Sequence, residues 1–178
     1  MEIMTNMKEV IAEVTKNLLF EKKVKKLTVK EIVEECNITR QAFYYHFADI
    51  PELLKWMLEK GAEKLLDECL KEQDPESRLL RWFSFAINVQ PYIKAGIHSN
   101  YGNEIERLLD ESLHRFIERA TEREEIYTHY NKEEKKFVLQ YHFLAIKGIL
   151  DQWTEKDTQN LNFIVHQIYS IILGKITP

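Results

Sequence analysis

Apolar residues recur every three to four positions along most of the chain, which is the spacing of amphipathic helices. The first such stretch follows Asn6 and continues to about Phe20. Others begin after Asp49, Asp74 and Asn131, whose side chains can accept hydrogen bonds from the free N–H groups of a first helical turn. Only five glycines and four prolines interrupt the pattern. The sequence therefore predicts an all-α protein of about nine helices.

The segment 27–54 differs from the rest because its predicted helices are short. Thr28, followed three residues later by Glu31, is a capping box that starts one helix. Asn37 tolerates a positive φ and can turn the chain, and Thr39 is the N-cap of a second helix. Two helices joined by so short a turn indicate a helix-turn-helix.

The second of these helices carries many long hydrogen-bond donors. Arg40 and Gln41 lie at its N-terminus, where they suit guanine and adenine edges in a major groove. Aromatic hydroxyls and a histidine follow, and such groups can bond phosphate oxygens. One of the two tyrosines could instead pack inside the domain, as Phe43 and Phe47 are expected to do. The predicted phosphate contacts are Thr28, Thr39, Tyr44, Tyr45, His46 and Lys55.

Charge is distributed unevenly along the chain. The formal net charge of −4 by itself argues against nucleic-acid binding. Residues 16–30, however, contain six lysines against one glutamate, a local excess of five positive charges directly before the motif. A basic segment is what phosphate contact requires, although a solvated loop is the alternative. The lysines are Lys16, Lys22, Lys23, Lys25, Lys26 and Lys30.

The run TVKEIVEECNITRQAFYYHFADIPELL resembles the DNA-binding segment of the TetR family of transcriptional regulators. The later run FLAIKGILDQW resembles the family members grouped with dihydroxyacetone kinase control. The resemblance implies a helix-turn-helix domain at residues 1–50 and a helical ligand-binding and dimerisation domain at residues 51–178. It also implies a repressor that binds a near-palindromic operator in double-stranded DNA. The cytoplasmic location is instead predicted from the two widely spaced cysteines and from the lack of a long apolar stretch.

The chain departs from the family pattern at one position. Ile50 stands where a lysine that grips phosphate is common, and Lys55 lies a turn later. This difference and the subgroup resemblance allow an alternative function, in which the protein keeps the fold but acts as a coregulator through a protein partner.

The last two long helices are both amphipathic. Phe137, Tyr141, Leu144 and Gly148 share a helical face, and an isoleucine-rich stripe follows in residues 161–172. Pairing with a second copy would bury such faces as a four-helix interface. Completion of the core within one chain is the alternative. The family resemblance implies a homodimer through these two helices.

Aromatic residues in the second half are typical both of a helical core and of a small-molecule pocket. Under the family resemblance, the pocket would hold a small-molecule effector. Its predicted lining is Trp82, Phe85, Tyr92, Tyr141 and His142.

Catalytic and metal-binding patterns are missing from the sequence. Six histidines occur without HExxH or CxxC spacing. His114 and Glu118 lie one turn apart, which a polar helix face explains more simply than a metal site. Cys36 and Cys69 are expected to be reduced thiols. The sequence predicts no enzyme activity, no metal and no cofactor, and no apolar stretch long enough for a membrane span.

Overall fold

The chain folds into helices joined by short turns. This computed structural model describes residues 6–175, which contain nine α-helices and no β-strand. One turn of π-helix, Asn17–Glu21, continues the first helix to the end that the apolar pattern indicates. The predicted all-α class is confirmed. The α-helices are α1 Met7–Lys16, α2 Val29–Cys36, α3 Arg40–His46, α4 Ile50–Cys69, α5 Pro75–Ile97, α6 Gly102–Arg123, α7 Lys132–Asp151, α8 Glu155–Gln159 and α9 Leu161–Ile172.

Side-chain caps fix where α2, α3 and α4 begin. The side-chain oxygens of Thr28, Thr39 and Asp49 each accept a hydrogen bond from the N–H three residues later, at 3.2, 3.1 and 2.8 Å. Between α2 and α3, Asn37 adopts the left-handed conformation with φ 53°. The three N-caps and the turn at Asn37 were predicted from the sequence and are confirmed. The predicted capping box differs in detail, because the Glu31 carboxylate accepts from the Thr28 hydroxyl.

The described residues divide into two compact units. One contains the residues up to Gly61 together with Val89–Leu109, and the other contains Ala62–Asn88 and the residues from Asp110 onward. Helices α4, α5 and α6 each contribute residues to both units. The predicted division at residue 50 concerns function and stays a prediction.

The core of the first unit anchors α3. Phe43 and Phe47 are 0% and 1% exposed, as the sequence predicts, and they lie in one apolar cluster with Ile11 of α1, Leu53 of α4 and Leu108 of α6. Burying a side chain of this size contributes about 1.5–3 kcal/mol. The helix-turn-helix is therefore held by helices that come both before and after it in the sequence.

The core of the second unit is aromatic. Trp82 stacks on Phe116 with ring centroids 4.8 Å apart, and Phe83 is 0% exposed. From α9, Val165 and Ile168 are buried in the same cluster. Part of the isoleucine-rich stripe thus completes the core of one chain, which was the simpler of the two alternatives.

The face of α7 that packs against this core is not the face that its apolar spacing indicates. His142, Phe143 and Ile146 are buried, whereas Phe137 is 74% exposed and Leu144 is 58% exposed. The face with the regular apolar spacing therefore lies on the surface of the unit.

Pro91 does not end a helix, although its residue type predicts that it should. Helix α5 continues through it to Ile97. An internal proline removes one hydrogen bond and costs about 3 kcal/mol. The helix beyond it is held by close packing, since a Cβ on Gly96 would come within 3.2 Å of both Phe20 and Ile105. Tertiary contacts thus override the local preference.

The turn between α5 and α6 requires a residue without a side chain at Gly102. A Cβ there would lie 2.0 Å from the carbonyl oxygen of Ile97. This contact is with the backbone and cannot be relieved by turning a side chain. None of the described helices is long and apolar enough to cross a membrane.

We expect Gly102→Ala to lower the free energy of unfolding by about 1–3 kcal/mol, because the α5–α6 turn must open to admit the methyl group. Gly61→Ala is the matched control: a Cβ on Gly61 meets nothing within 4 Å in the middle of α4, so this change should stabilise by about 0.5–1 kcal/mol. Urea unfolding followed by circular dichroism measures both. Equal stabilisation by the two alanines would contradict the close approach at Gly102.

Candidate nucleic-acid interface

The start of α3 presents polar side chains to solvent. Arg40 and Gln41 occupy its first two positions and are exposed. Thr39 uses its side-chain oxygen to accept from the Ala42 N–H at 3.1 Å, so its hydroxyl hydrogen can still be donated outward. The cap thus fixes the helix end from which the two longer side chains project.

The second half of α3 exposes its hydroxyls as well. Tyr45 is 85% exposed and Tyr44 is 55% exposed, so neither is buried as the alternative would require. The Tyr44 ring meets the buried Phe43 ring edge-on, with centroids 5.5 Å apart, which supports its position. Tyr45 packs edge-on against the half-buried His46 at 5.1 Å.

The remaining predicted contacts lie on α2 and α4. The Thr28 hydroxyl donates to the Glu31 carboxylate at 2.8 Å, so a phosphate would have to replace that partner. Lys55 is exposed on α4. Ile50, at the position where the family commonly has lysine, is 3% exposed and belongs to the core. Its buried, apolar side chain therefore cannot bind a DNA phosphate.

The lysine loop, residues 22–28, joins the π-turn to α2. Lys23 adopts a positive φ of 51°, and Lys23, Lys25 and Lys26 are exposed. Lys22 pairs with Glu35 at 2.8 Å. Exposed pairs of this kind contribute about 0–1 kcal/mol, so even this lysine can exchange its partner for a phosphate.

Sequence reasoning missed the residue that holds this loop. Asn100, in the turn between α5 and α6, donates its backbone N–H to the Lys25 carbonyl at 3.0 Å. Its side chain accepts from the Leu27 N–H at 2.7 Å and donates to the Leu27 carbonyl at 3.3 Å. No local pattern indicates these bonds, because the partners are 73 residues apart.

The five predicted effector-binding residues do not come together at one site. Trp82 is buried in the stack with Phe116. Phe85 is 39% exposed, and Tyr92 packs against Phe20 with ring centroids 5.9 Å apart. Tyr141 is 42% exposed on α7.

His142, the fifth of these residues, has a structural role. Its Nε2 lies 2.6 Å from the Tyr127 hydroxyl, which donates its own hydrogen to the Ile172 carbonyl at 2.7 Å. The histidine must therefore donate to the tyrosine from Nε2. Burial lowers the pKa of His142 and raises the pKa of Tyr127 to about 12, so both are neutral at physiological pH. The bonds join the α6–α7 turn, α7 and the end of α9.

A cavity of about 250 Å³ lies in the second unit. Its walls are mainly apolar and come from α4, α5, α6, α7 and α9. Arg78 and Glu124, which form an ion pair with each other, also line it. None of the five residues predicted from the sequence lines this cavity. The lining includes Leu66, Cys69, Leu79, Phe116, Ala120, Ile146 and Tyr169.

The thiols show no sign of activation. Burial is the main cause that raises the pKa of Cys69 to about 11, and it also raises the pKa of Cys36. Within residues 6–175, no three His, Cys, Asp or Glu side chains are grouped so that they could hold a metal ion.

Comparison with known proteins places the exposed helix in a family. Residues 11–57 match the bacterial regulatory proteins of the tetR family. The chain is 24% identical to DhaS of Lactococcus lactis subsp. lactis (strain IL1403), the HTH-type dhaKLM operon transcriptional activator, over 94% of this chain and 89% of that protein.

Solved structures show the same fold. The dihydroxyacetone kinase operon activator DhaS matches with a TM-score of 0.63 and 20% identity over 95% of both chains. A TetR-family transcriptional regulator from Bordetella parapertussis 12822 matches with a TM-score of 0.52 and 12% identity over 94% of both chains.

The family and the relatives are regulators rather than enzymes, which confirms the prediction that this chain is not an enzyme. The segment matched to the family includes all of α2 and α3, where the exposed polar side chains lie. Residues 11–57, which include the helix-turn-helix, match the tetR family of bacterial regulatory proteins, and the chain as a whole resembles the transcriptional regulator DhaS.

Proposed function

We propose that this regulator binds a near-palindromic operator as a homodimer, with α3 of each copy in a major groove. The observation that carries the proposal is the build of α3, whose inner face is locked by Phe43 and Phe47 while Arg40, Gln41 and Tyr45 are exposed. Half-sites about 34–36 Å apart or somewhat more would place the two helices in successive grooves.

The proposed contacts fall into two classes. Arg40 and Gln41 contact base edges, since they project from the N-terminus of the helix that enters the groove. Thr39, Tyr44, Tyr45, His46 and Lys55 contact phosphate, together with Thr28 once its bond to Glu31 is exchanged. Contacts of the second class fix the docking orientation and contribute nothing to sequence preference.

Arg40→Ala should weaken operator binding by about 1–3 kcal/mol and relax the preference at one base pair, because a base contact is lost. Tyr45→Phe is the comparison variant, since it removes one exposed hydroxyl and should weaken all sequences alike. Selection of bound sequences from random duplexes, followed by fluorescence anisotropy at stated salt, measures both effects. Unchanged affinity and selectivity in Arg40→Ala would show that this side chain does not contact bases.

We propose α7 and α9 as the dimer surface. Phe137 is 74% exposed, Leu144 58% and Phe163 66%, which are large fractions for such apolar side chains. A Cβ on Gly148, one turn beyond Leu144, would meet nothing within 4 Å in this chain, so a partner helix has room to approach there. Burial of these side chains in a second copy would remove their contact with water.

Leu144→Glu should shift the protein from dimer to monomer by placing a charge in the proposed interface. Lys136→Gln is a matched control, because it changes the charge of the same helix by the same amount at an exposed position off the apolar face. Sedimentation velocity across a concentration series measures the equilibrium. An unaltered dimer in Leu144→Glu would exclude this face from the interface.

We propose that the cavity in the second unit, rather than the five aromatic positions chosen from sequence, receives a small-molecule effector. Its apolar walls favour an apolar ligand, and Arg119 and Arg123 on the exposed side of α6 favour one with an anionic group. Ala120 is a lining residue at which a larger side chain would fill the space.

Anilinonaphthalene sulfonate, which combines apolar rings with an anion, is a suitable probe of the cavity. Its fluorescence should rise on binding the native protein, and Ala120→Phe should reduce that rise at least about fivefold by filling the cavity. An equal rise in both proteins would place the dye elsewhere and contradict the assignment.

The coregulator alternative rests on Ile50, which takes the place of a phosphate-binding lysine, and on the resemblance to the subgroup associated with dihydroxyacetone kinase control. Purified protein that binds its operator without a partner would contradict it, whereas binding only after a partner is added would support it. Repression was the sequence-based expectation, while DhaS is named as an activator. A reporter gene carrying the selected operator, tested in the cytoplasm of a bacterial host, determines the direction of regulation.

A further inference from the structure

We propose that Asn100 is a positioning residue for DNA binding, which holds the lysine loop in the conformation that meets phosphate. The inference rests on the proposed DNA-binding function and adds to it a residue from the α5–α6 turn. The side chain contacts no DNA itself under this proposal; it acts through Lys25 and Lys26.

The carrying observation is the set of three hydrogen bonds from one asparagine. Its side-chain amide accepts from the Leu27 N–H at 2.7 Å and donates to the Leu27 carbonyl at 3.3 Å, so it satisfies both backbone groups as a neighbouring strand would. Its backbone N–H donates to the Lys25 carbonyl at 3.0 Å. The backbone on both sides of Lys26 is therefore fixed.

The loop needs such support because helix geometry does not provide it. Lys23 has a positive φ of 51°, and the next amide, that of Val24, reaches back to the Leu18 carbonyl at 3.1 Å. The following residues up to Leu27 lie outside any helix. Leu27 itself is 1% exposed and leads directly into the cap Thr28. Holding Leu27 thus fixes the end of the loop and the start of α2 together.

The turn that carries Asn100 is itself firmly held. The Gly102 N–H donates to the Ser99 carbonyl at 3.1 Å, and the Tyr101 N–H donates to the Ser99 hydroxyl at 3.2 Å. Beyond the turn, Ile105 of α6 is buried in the core that also contains Leu27. Asn100 therefore connects the ordered α5–α6 turn, through hydrogen bonds, to the loop that carries the exposed lysines.

Asn100 is exposed, and its replacement by alanine removes two hydrogen bonds to the Leu27 backbone while leaving every apolar side chain of the core in place. Removal of the amide should therefore release the loop without unfolding the unit. Each phosphate contact contributes about 0.9 to the slope of log affinity against log salt concentration. Loss of ordered Lys25 and Lys26 should lower that slope by about one to two.

The test compares the native protein with Asn100→Ala on the selected operator and on an unrelated duplex. Asn103→Ala is the matched control, because Asn103 is an exposed asparagine three residues later, at the start of α6. We expect Asn100→Ala to lower affinity about 10-fold on both duplexes, with the smaller salt slope, and Asn103→Ala to change neither. Unchanged affinity, or a loss with an unchanged slope, would overturn the proposal.

A double-mutant cycle separates positioning from a general loss of stability. Lys25→Gln should cost less affinity in the Asn100→Ala background than in the native protein, because its lysine is already out of place. Strictly additive effects would argue against coupling. Urea unfolding gives the folded fraction for correcting each affinity, and faster hydrogen exchange at the Leu27 amide should report the released loop directly.

DNA binding by the native protein distinguishes a failure of the proposed function from a failure of the role assigned to Asn100. No DNA binding by the native chain would remove the proposed function. Native binding that Asn100→Ala leaves intact would remove only the role of Asn100.

Discussion

The burial of Phe43 and Phe47 is the constraint on which the rest of the DNA-binding unit depends. Helix α3 has only seven residues, far fewer than an isolated helix needs for stability in water. Its helical form is stabilised by tertiary packing, with both phenylalanines inside a core built by α1, α2, α4 and part of α6. Because the inner face is fixed in this way, the other face can carry exposed arginine, glutamine and tyrosine side chains at defined positions.

The positive charge that matters for DNA binding is concentrated in one segment of an otherwise acidic chain. The chain as a whole is acidic, yet the segment before α2 is basic, and its lysines are exposed around a loop whose backbone is held by Asn100. Attraction to phosphate depends on where charges are placed, and a flexible lysine must lose conformational freedom when it binds. A loop ordered before binding reduces that loss. In the proposed interface, the lysines therefore provide the positive charge and Asn100 holds the backbone that carries them.

Helix α7 has two faces with different surroundings, one buried within its unit and one exposed to solvent. Its buried side contains His142, whose bond to Tyr127 satisfies a polar group inside the unit. Its regularly spaced apolar side remains exposed, with Phe137 and Leu144 in contact with solvent. Exposed apolar area of this kind is unfavourable for a single chain and is typical of an interface. The buried side of α7 also contributes Ile146 to the lining of the cavity, whereas Leu144 on the exposed side does not line it.

The sequence by itself determined the features that depend on neighbouring residues. Thr28, Thr39 and Asp49 start their helices because a cap bonds an amide three residues away, and Asn37 turns the chain through its own conformational preference. The helical class and the motif in α2 and α3 followed from these local rules. Features that depend on distant partners were decided only by the tertiary structure. Helix α5 continues through Pro91 to a close approach of Gly96 to Phe20, which is far away in the sequence, and Asn100 reaches Leu27 across 73 residues. The aromatic residues chosen for a pocket went into core stacks and surface positions, because spacing along one helix does not reveal which other helices pack against each face.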